Sequence, residues 1–185
     1  DYLETIAIES KRLSELSTAI LKLSKVENME ILPDKITFSL DEQLRRAILL
    51  LSPKMKEKAI HLDVDLHKAD YNGSKELLQQ VWTNLLDNAV KFAPYNGHIR
   101  VVLRNSEDGL VVRIADNGAG MDTATQAHIF DSFYQGETSH AKTGNGLGLP
   151  LVKKVVELHQ GRITVDSEPE KGCAFTIILP QRKLS

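Results

Sequence analysis

The chain has 185 residues, 42% of them hydrophobic and 26% charged, and a formal net charge of −2. That suits one domain of roughly 100–150 residues with a proper core, plus an appended element. The near-balanced charge, with no basic stripe, argues against a nucleic-acid partner.

The single cysteine, Cys173, has no internal disulfide partner. Within its apolar run it reads as a small core residue in a reducing compartment. No segment approaches the roughly 18 apolar residues of a spanning helix, and no signal peptide opens the chain, so it reads as soluble. It begins without Met, in what reads as mid-helix, and a larger parent protein is expected.

Residues 1–28 predict one long helix, with Leu3, Ile6, Leu13, Leu16, Ile20 and Leu23 spaced by three, four or seven. So narrow an apolar stripe fits a bundle or coiled coil, or a helix packed on its own domain. A connector at 28–34 follows, then a strand at Ile36-Thr37-Phe38. Ser39 is read as the cap of a helix to about Leu51, with Asp41 and Glu42 in its first turn. Residues 60–66 alternate apolar and polar, as a half-buried strand does. Tyr71-Asn72-Gly73 reads as a turn, and Ser74 as the cap of a helix to about Phe92, stopped by Pro94 and Gly97.

Residues 99–103 and 110–114 form a predicted hairpin around Glu107-Asp108-Gly109. A short helix is expected at 122–131. Residues 132–145 have almost no apolar anchors and read as a lid or a disordered loop. A helix from about Gly148 to His159 turns Leu151, Val152, Val155, Val156 and Leu158 inward, and strands at 163–165 and 174–179 close the sheet. The order predicts a mixed α+β domain with helices over one face of a sheet.

Three segments carry candidate chemistry. On the helix at 74–92, Asn84, Asn88 and Lys91 lie within about 60° of one another, opposite Leu78, Trp82, Leu85, Leu86 and Ala89. Paired amide oxygens suit a hard cation and the lysine suits phosphate; a solvated helix face reads equally well. Phe92 lies between the two faces, fit to stack on a flat ring or to close the core. Asp116-Asn117-Gly118-Ala119-Gly120-Met121 follows a strand. It offers a carboxylate to an exocyclic amine and glycines for close backbone approach, or is a plain Asp-Asn-Gly turn. Thr143-Gly144-Asn145-Gly146-Leu147-Gly148-Leu149 runs into a helix start, where free N–H groups receive phosphate. It is neither the dinucleotide fingerprint nor a P-loop, and alone it also reads as a linker.

In this order the segments resemble the catalytic ATP-binding domain of bacterial sensor histidine kinases. Residues 81–92 resemble the N box, residues 116–121 and 143–149 the two glycine boxes, and Ile129-Phe130-Asp131-Ser132-Phe133-Tyr134 the F box. Glu9-Ser10-Lys11-Arg12-Leu13 and Leu21-Lys22-Leu23-Ser24 are similar to the second helix of the dimerisation and phosphotransfer domain.

The resemblance implies a two-layer α/β sandwich of the histidine kinase, topoisomerase and heat-shock-chaperone ATPase type, preceded by a long helix. It implies a phosphotransfer-domain helix at 1–30, a linker at 31–35 and the ATP-binding domain at 36–182. The cofactors it implies are ATP and magnesium, with Asn88 and Asn84 on the metal. Lys91 would contact phosphate, Phe92 would stack on adenine and Asp116 would accept from the adenine amine. Gly118, Gly120, Met121, Phe133, Gly144, Gly146, Leu147, Gly148 and Leu149 would complete the nucleotide site, with the last glycines as hinge and phosphate cradle.

Asn84, Lys91 and Gln135 are the implied catalytic set. Gln135 stands where many relatives carry Arg, and His140 or Lys142 is a candidate to compensate. The six histidines at 61, 67, 98, 128, 140 and 159 lack the phosphoacceptor pattern, so each reads as structural. The resemblance thus implies transfer to a histidine outside this chain, without self-phosphorylation. It also implies a homodimeric parent, a response-regulator partner, and a cytoplasmic domain of a parent anchored in the cell membrane. Related ATPases and serine kinases carry Glu four residues before the magnesium Asn. Asn84 stands there and has no basic oxygen to activate water or serine, whereas a neutral imidazole needs no such base.

Overall fold

The computed structural model describes residues 2–135 and 144–181. Helix α1 (Tyr2–Glu27) precedes β1 (Lys35–Ser39), α2 (Leu40–Glu57), β2 (His61–Leu66), β3 (Asp70–Ser74) and α3 (Lys75–Phe92). Then come β4 (His98–Ser106), β5 (Gly109–Asp116), α4 (Thr123–His128), α5 (Gly148–Leu158), β6 (Arg162–Glu168) and β7 (Gly172–Leu179).

Five strands form one sheet in the order β2-β4-β5-β7-β6, antiparallel except for the β2–β4 pair. Period-two alternation sorts its residues. Ile99, Val101 and Leu103 of β4 face the helices with Leu110, Val112 and Ile114 of β5 and Ile177 and Leu179 of β7, each at most 2% exposed. Arg100, Arg113, Arg162 and Thr164 point the other way and are exposed. The helices α2, α3 and α5 cover the apolar face, α3 packing against both of the others. This is the two-layer α+β architecture expected.

Within the helical layer, Trp82 is fully buried, and its indole N–H donates to Gln43 Oε1 at 2.8 Å. Gln43 Nε2 in turn donates to Lys75 O at 2.7 Å, so this buried polar group is satisfied. Ser39 and Ser74 occupy the two expected N-cap positions, but neither side chain caps its helix. Ser39 Oγ donates to Asp41 Oδ1, and the Ser74 N–H donates to a ring nitrogen of His159.

Four elements differ from the sequence reading. Helix α2 continues through Pro53 to Glu57 instead of ending near Leu51. Proline removes a backbone donor, yet the stripe of Ile48, Leu51 and Met55 stays buried and keeps the helix going. Tyr71-Asn72-Gly73 is not a turn but lies in β3, paired antiparallel with β1. A side chain at Gly73 would meet the Tyr71 ring at 2.6 Å and the His159 ring at 2.8 Å, so this glycine serves close packing. Strand β2 is a sheet edge, less buried than its alternation suggests, with Leu62 and Val64 each 37% exposed. Helix α4 is shorter than expected, with Asp122 as its cap accepting from Thr125 N at 2.7 Å.

Helix α1 docks at its C-terminal end. Leu23 and Val26 are buried, Leu16 and Ala19 pack beside them, and the neighbour is α5. Leu3, Ile6 and Leu13 are exposed.

Candidate functional site

Helix α3 builds one wall of a cavity of about 220 Å³. Its buried face, Leu78, Val81, Trp82, Leu85, Leu86 and Ala89, fixes the rotation of the helix and so presents the opposite stripe to the cavity. Asn84, Asn88, Lys91 and Phe92 all line it. Asn84 Nδ2 donates to Gln80 O at 2.8 Å, which turns its Oδ1 towards the first residue of α5. The Lys91 ammonium lies 4.8 Å from the centroid of the Phe92 ring. Behind the helix, Lys58 Nζ donates to Val90 O and Ala93 O at 2.7 and 2.6 Å, placing a cation on the helix C-terminus.

The end of β5 brings in Asp116 from the opposite side. Its Oδ1 accepts from Gly118 N at 2.8 Å, forming an Asx turn that aims the carboxylate into the cavity. Gly120 and Met121 also line it. Gly120 has φ +64°, and a Cβ there would lie 1.9 Å from Glu168 O, so only glycine lets this chain pass the β6–β7 turn. Met121 N donates to Ser167 Oγ at 2.9 Å, which ties the segment to β6.

The third wall comes from Gly144, Gly146, Gly148 and Leu149 at the start of α5, with Gln135 across from them. Gln135 Nε2 donates to Gly144 O at 2.7 Å, and Phe133 N donates to Gly146 O at 3.0 Å. A Cβ at Gly144 would stand 2.6 Å from Lys91 Nζ, and one at Gly148 would stand 2.8 Å from Asn84 Oδ1. These glycines let the α5 terminus come within contact of the α3 polar stripe. His140 and Lys142 fall outside the described residues.

Three expected site residues lie elsewhere. Gly118 is buried under the backbone of Phe92, where a Cβ would meet Phe92 O at 2.5 Å, so it shapes the turn and does not line the cavity. Phe133 is 61% exposed with φ 66°, outside the lining. Leu147 is 2% exposed and points into the core.

Asp87, Ile129, Tyr134 and Asn145, which lie in the resembling boxes but were given no role, and Thr125, Cys173 and Phe175, which lie outside them, also line the cavity. Asp87 was findable, being on the same helix stripe. Cys173 is half-buried and packs against the core, directly across the β5–β7 ladder from Asp116. Burial, reinforced by the Asp116 charge, pushes its thiol up to about 12, so it stays protonated. Of the other histidines within the described residues, none lines the cavity. His61 and His98 stack at 4.9 Å on adjacent strands, and His128 pairs with Asp131 at 2.8 Å.

A family model described as histidine kinase-, DNA gyrase B-, and HSP90-like ATPase matches residues 73–183, a span that holds α3, the Asp116 turn and the α5 glycines. The chain belongs to this family. The ATPase domain is 37% identical, over 176 residues, to the heme sensor protein HssS of Staphylococcus saprophyticus subsp. saprophyticus. That match covers 95% of this chain and 38% of HssS, so the chain spans about two fifths of the length of the curated relatives it matches. Among solved structures, it is similar to full-length ShkA in complex with AMPPNP, with TM-score 0.84 and 25% identity over 97% of this chain and 38% of that chain. The Mycobacterial sensor histidine kinase MprB matches with TM-score 0.70 and 27% identity, over 82% of this chain and all of that one. Within the family, the ATPase domain is thus of the sensor histidine kinase type.

Proposed function

We propose that this domain binds magnesium-ATP in the α3–α5 cavity and transfers the γ-phosphoryl group to a histidine on an acceptor helix outside the chain. The observation that carries the reading is the convergence of Asn84, Asn88, Lys91 and Asp116 on one cavity from elements far apart in sequence.

The cavity has two chemical ends. Asp116, beside Met121, Cys173 and Phe175, offers an anionic acceptor in an apolar surround, which suits the amine edge of adenine, and Phe92 supplies a ring to stack on it. Asn84, Asn88 and Lys91 face the N-terminus of α5, where free backbone N–H groups and the helix dipole favour phosphate.

The donor set fits magnesium carried by phosphates. Two amide oxygens make only part of an octahedral shell, and phosphate oxygens and water supply the rest. Among the described residues no group of three or more His, Cys, Asp and Glu offers a self-sufficient metal cage. When bound, the ion neutralises charge on the transferring phosphoryl group. The residues of the chain hold the phosphates, orient them and keep the base in place. Gln135 hydrogen-bonds Gly144 and holds the stems of the intervening segment together. In that position it donates to phosphate without the charge an arginine would bring. Asn84 has no basic oxygen, which favours transfer to a neutral imidazole over ATP hydrolysis.

Helix α1 reads as the second helix of a dimerisation and phosphotransfer domain. The parent is accordingly proposed to be a homodimer that passes phosphate to a response regulator, with this domain on the cytoplasmic side of a membrane anchor. Within the described residues no helix is long and apolar enough to cross a membrane.

Titration with a non-hydrolysable ATP analogue tests the reading. Magnesium should tighten binding to the wild-type chain, and Asn88→Ala should remove most of that gain, weakening binding by about tenfold or more, roughly 1.4 kcal/mol. Adding a separate acceptor-helix fragment and labelled ATP should yield acid-labile phosphohistidine on that fragment. Flat calorimetry at saturating analogue would rule out the nucleotide reading.

A further inference from the structure

Asp87 lies on α3 within the same cavity-lining stripe. At about 100° per residue it is about 60° from Asn84 and about 40° from Lys91 around the helix. Its Oδ1 is 2.6 Å from Lys54 Nζ, on the last turn of α2, and both side chains are partly open to solvent. The carboxylate is thus held at the rim of the cavity, one turn from Asn84 and beside Lys91, about 100° around the helix from Asn88.

Magnesium is a hard cation that usually binds through one or two carboxylates together with substrate phosphates. Asn84 and Asn88 bring oxygens but no charge. The neighbouring group able to bring charge from α3 is Asp87, and its own cost is low because Lys54 balances it and α2 restrains it. We propose that Asp87 is a magnesium-positioning residue, supplying the anionic oxygen that holds the ion, directly or through its water shell, against the nucleotide phosphates. Lys54 keeps that carboxylate turned to the rim. The inference rests on the magnesium-ATP reading of the cavity.

A metal-directed carboxylate and a mere α2–α3 ion pair differ in sign. Beside a triphosphate without metal, a carboxylate repels; with the metal between them, it attracts. Removing its charge therefore strengthens metal-free binding and weakens the gain from magnesium. A plain surface ion pair, worth about 0–1 kcal/mol, alters neither.

The experiment measures the affinity of the whole chain for the ATP analogue AMP-PNP with and without magnesium, in wild type, Asp87→Asn, Asp87→Glu and Lys54→Met. Thermal melts confirm that each variant is folded. In Asp87→Asn the metal-free affinity should rise about threefold and the magnesium gain should shrink by about tenfold. Asp87→Glu should restore part of the gain, and Lys54→Met should keep most of it, because the carboxylate remains. Manganese binding in the presence of ADP, followed by water-proton relaxation, should weaken most in Asp87→Asn, less in Asp87→Glu and least in Lys54→Met.

An unchanged magnesium gain in Asp87→Asn, alongside its loss in Asn88→Ala, overturns the inference and leaves the nucleotide site standing. Equal effects of Asp87→Asn and Lys54→Met on melting, with none on metal dependence, overturn it in the same way. Absence of any magnesium gain in the wild-type chain overturns the cavity reading itself.

Discussion

Gly120 and Gly148 both serve the cavity, but they respond to substitution in opposite ways. Gly120 combines φ +64° with a backbone oxygen 1.9 Å from its missing Cβ, so Ala there displaces the β6–β7 turn. Gly120→Ala should lower stability by about 2–4 kcal/mol, read from denaturant midpoints at constant m. Gly148 begins a helix, where Ala is favoured, and its Cβ would meet only the movable Asn84 amide. Gly148→Ala should leave the melting temperature within about 2 °C of wild type. It should weaken ATP-analogue binding about tenfold, since Asn84 must then give way. The glycines were legible in the sequence because their need is local, written into a turn or a helix start. Leu147 and Phe133 were carried to the site by resemblance and lie off it, since the direction of a side chain depends on the neighbours it packs against. Cys173 and Phe175 went unread for the converse reason: pairing across the β5–β7 ladder, Cys173 with Asp116 and Phe175 with Ile114, puts them in the wall.

Among the elements, the long helices were the most readable, because the apolar period of α3 and α5 repeats over several turns. Strand β3 was not. Its Asn-Gly pair carries turn chemistry, and only pairing with β1 and the ring of His159 make it extended. His159 fastens these pieces together. Its Nδ1–H donates to Val155 O at 2.7 Å, and its Nε2 accepts from Ser74 N at 3.1 Å, linking the end of α5 to the start of α3. An accepting Nε2 must be unprotonated. Burial, with Lys35 nearby, lowers the His159 pKa from its usual 6.5, although the Val155 bond opposes this; Tyr71, packed on the ring, is neutral with its hydroxyl pushed up to about 12. As pH falls below 6.5 the unfolded chain takes up the proton first, so stability is lost from there down to the lowered folded-state value and is complete above 6.5. His159→Gln should flatten that part of the profile in urea melts between about pH 5 and 7, at the cost of lower stability near pH 8.

On the scale of the molecule, the one-sided sheet leaves its arginine-bearing face to solvent and puts all the candidate chemistry on the helical side. Helix α1 packs on the domain through Leu16, Ala19, Leu23 and Val26, while Leu3 and Leu13 remain 75% and 65% exposed. An exposed apolar stripe of this kind suits a partner helix. Sedimentation equilibrium should show concentration-dependent self-association of the chain, which Leu13→Glu weakens without shifting the melting midpoint of the ATPase domain.

The single parallel pair in the sheet also ties α3 to the assembly of the sheet. β2 joins β4 across β3 and the whole of α3, so forming that contact carries the entropic cost of closing a loop. The helix bearing the amide stripe is enclosed by that loop. Lesions in the Trp82–Gln43 anchor should therefore slow refolding as well as weaken the native state, making biogenesis and ligand capture depend on the same eighteen-residue segment.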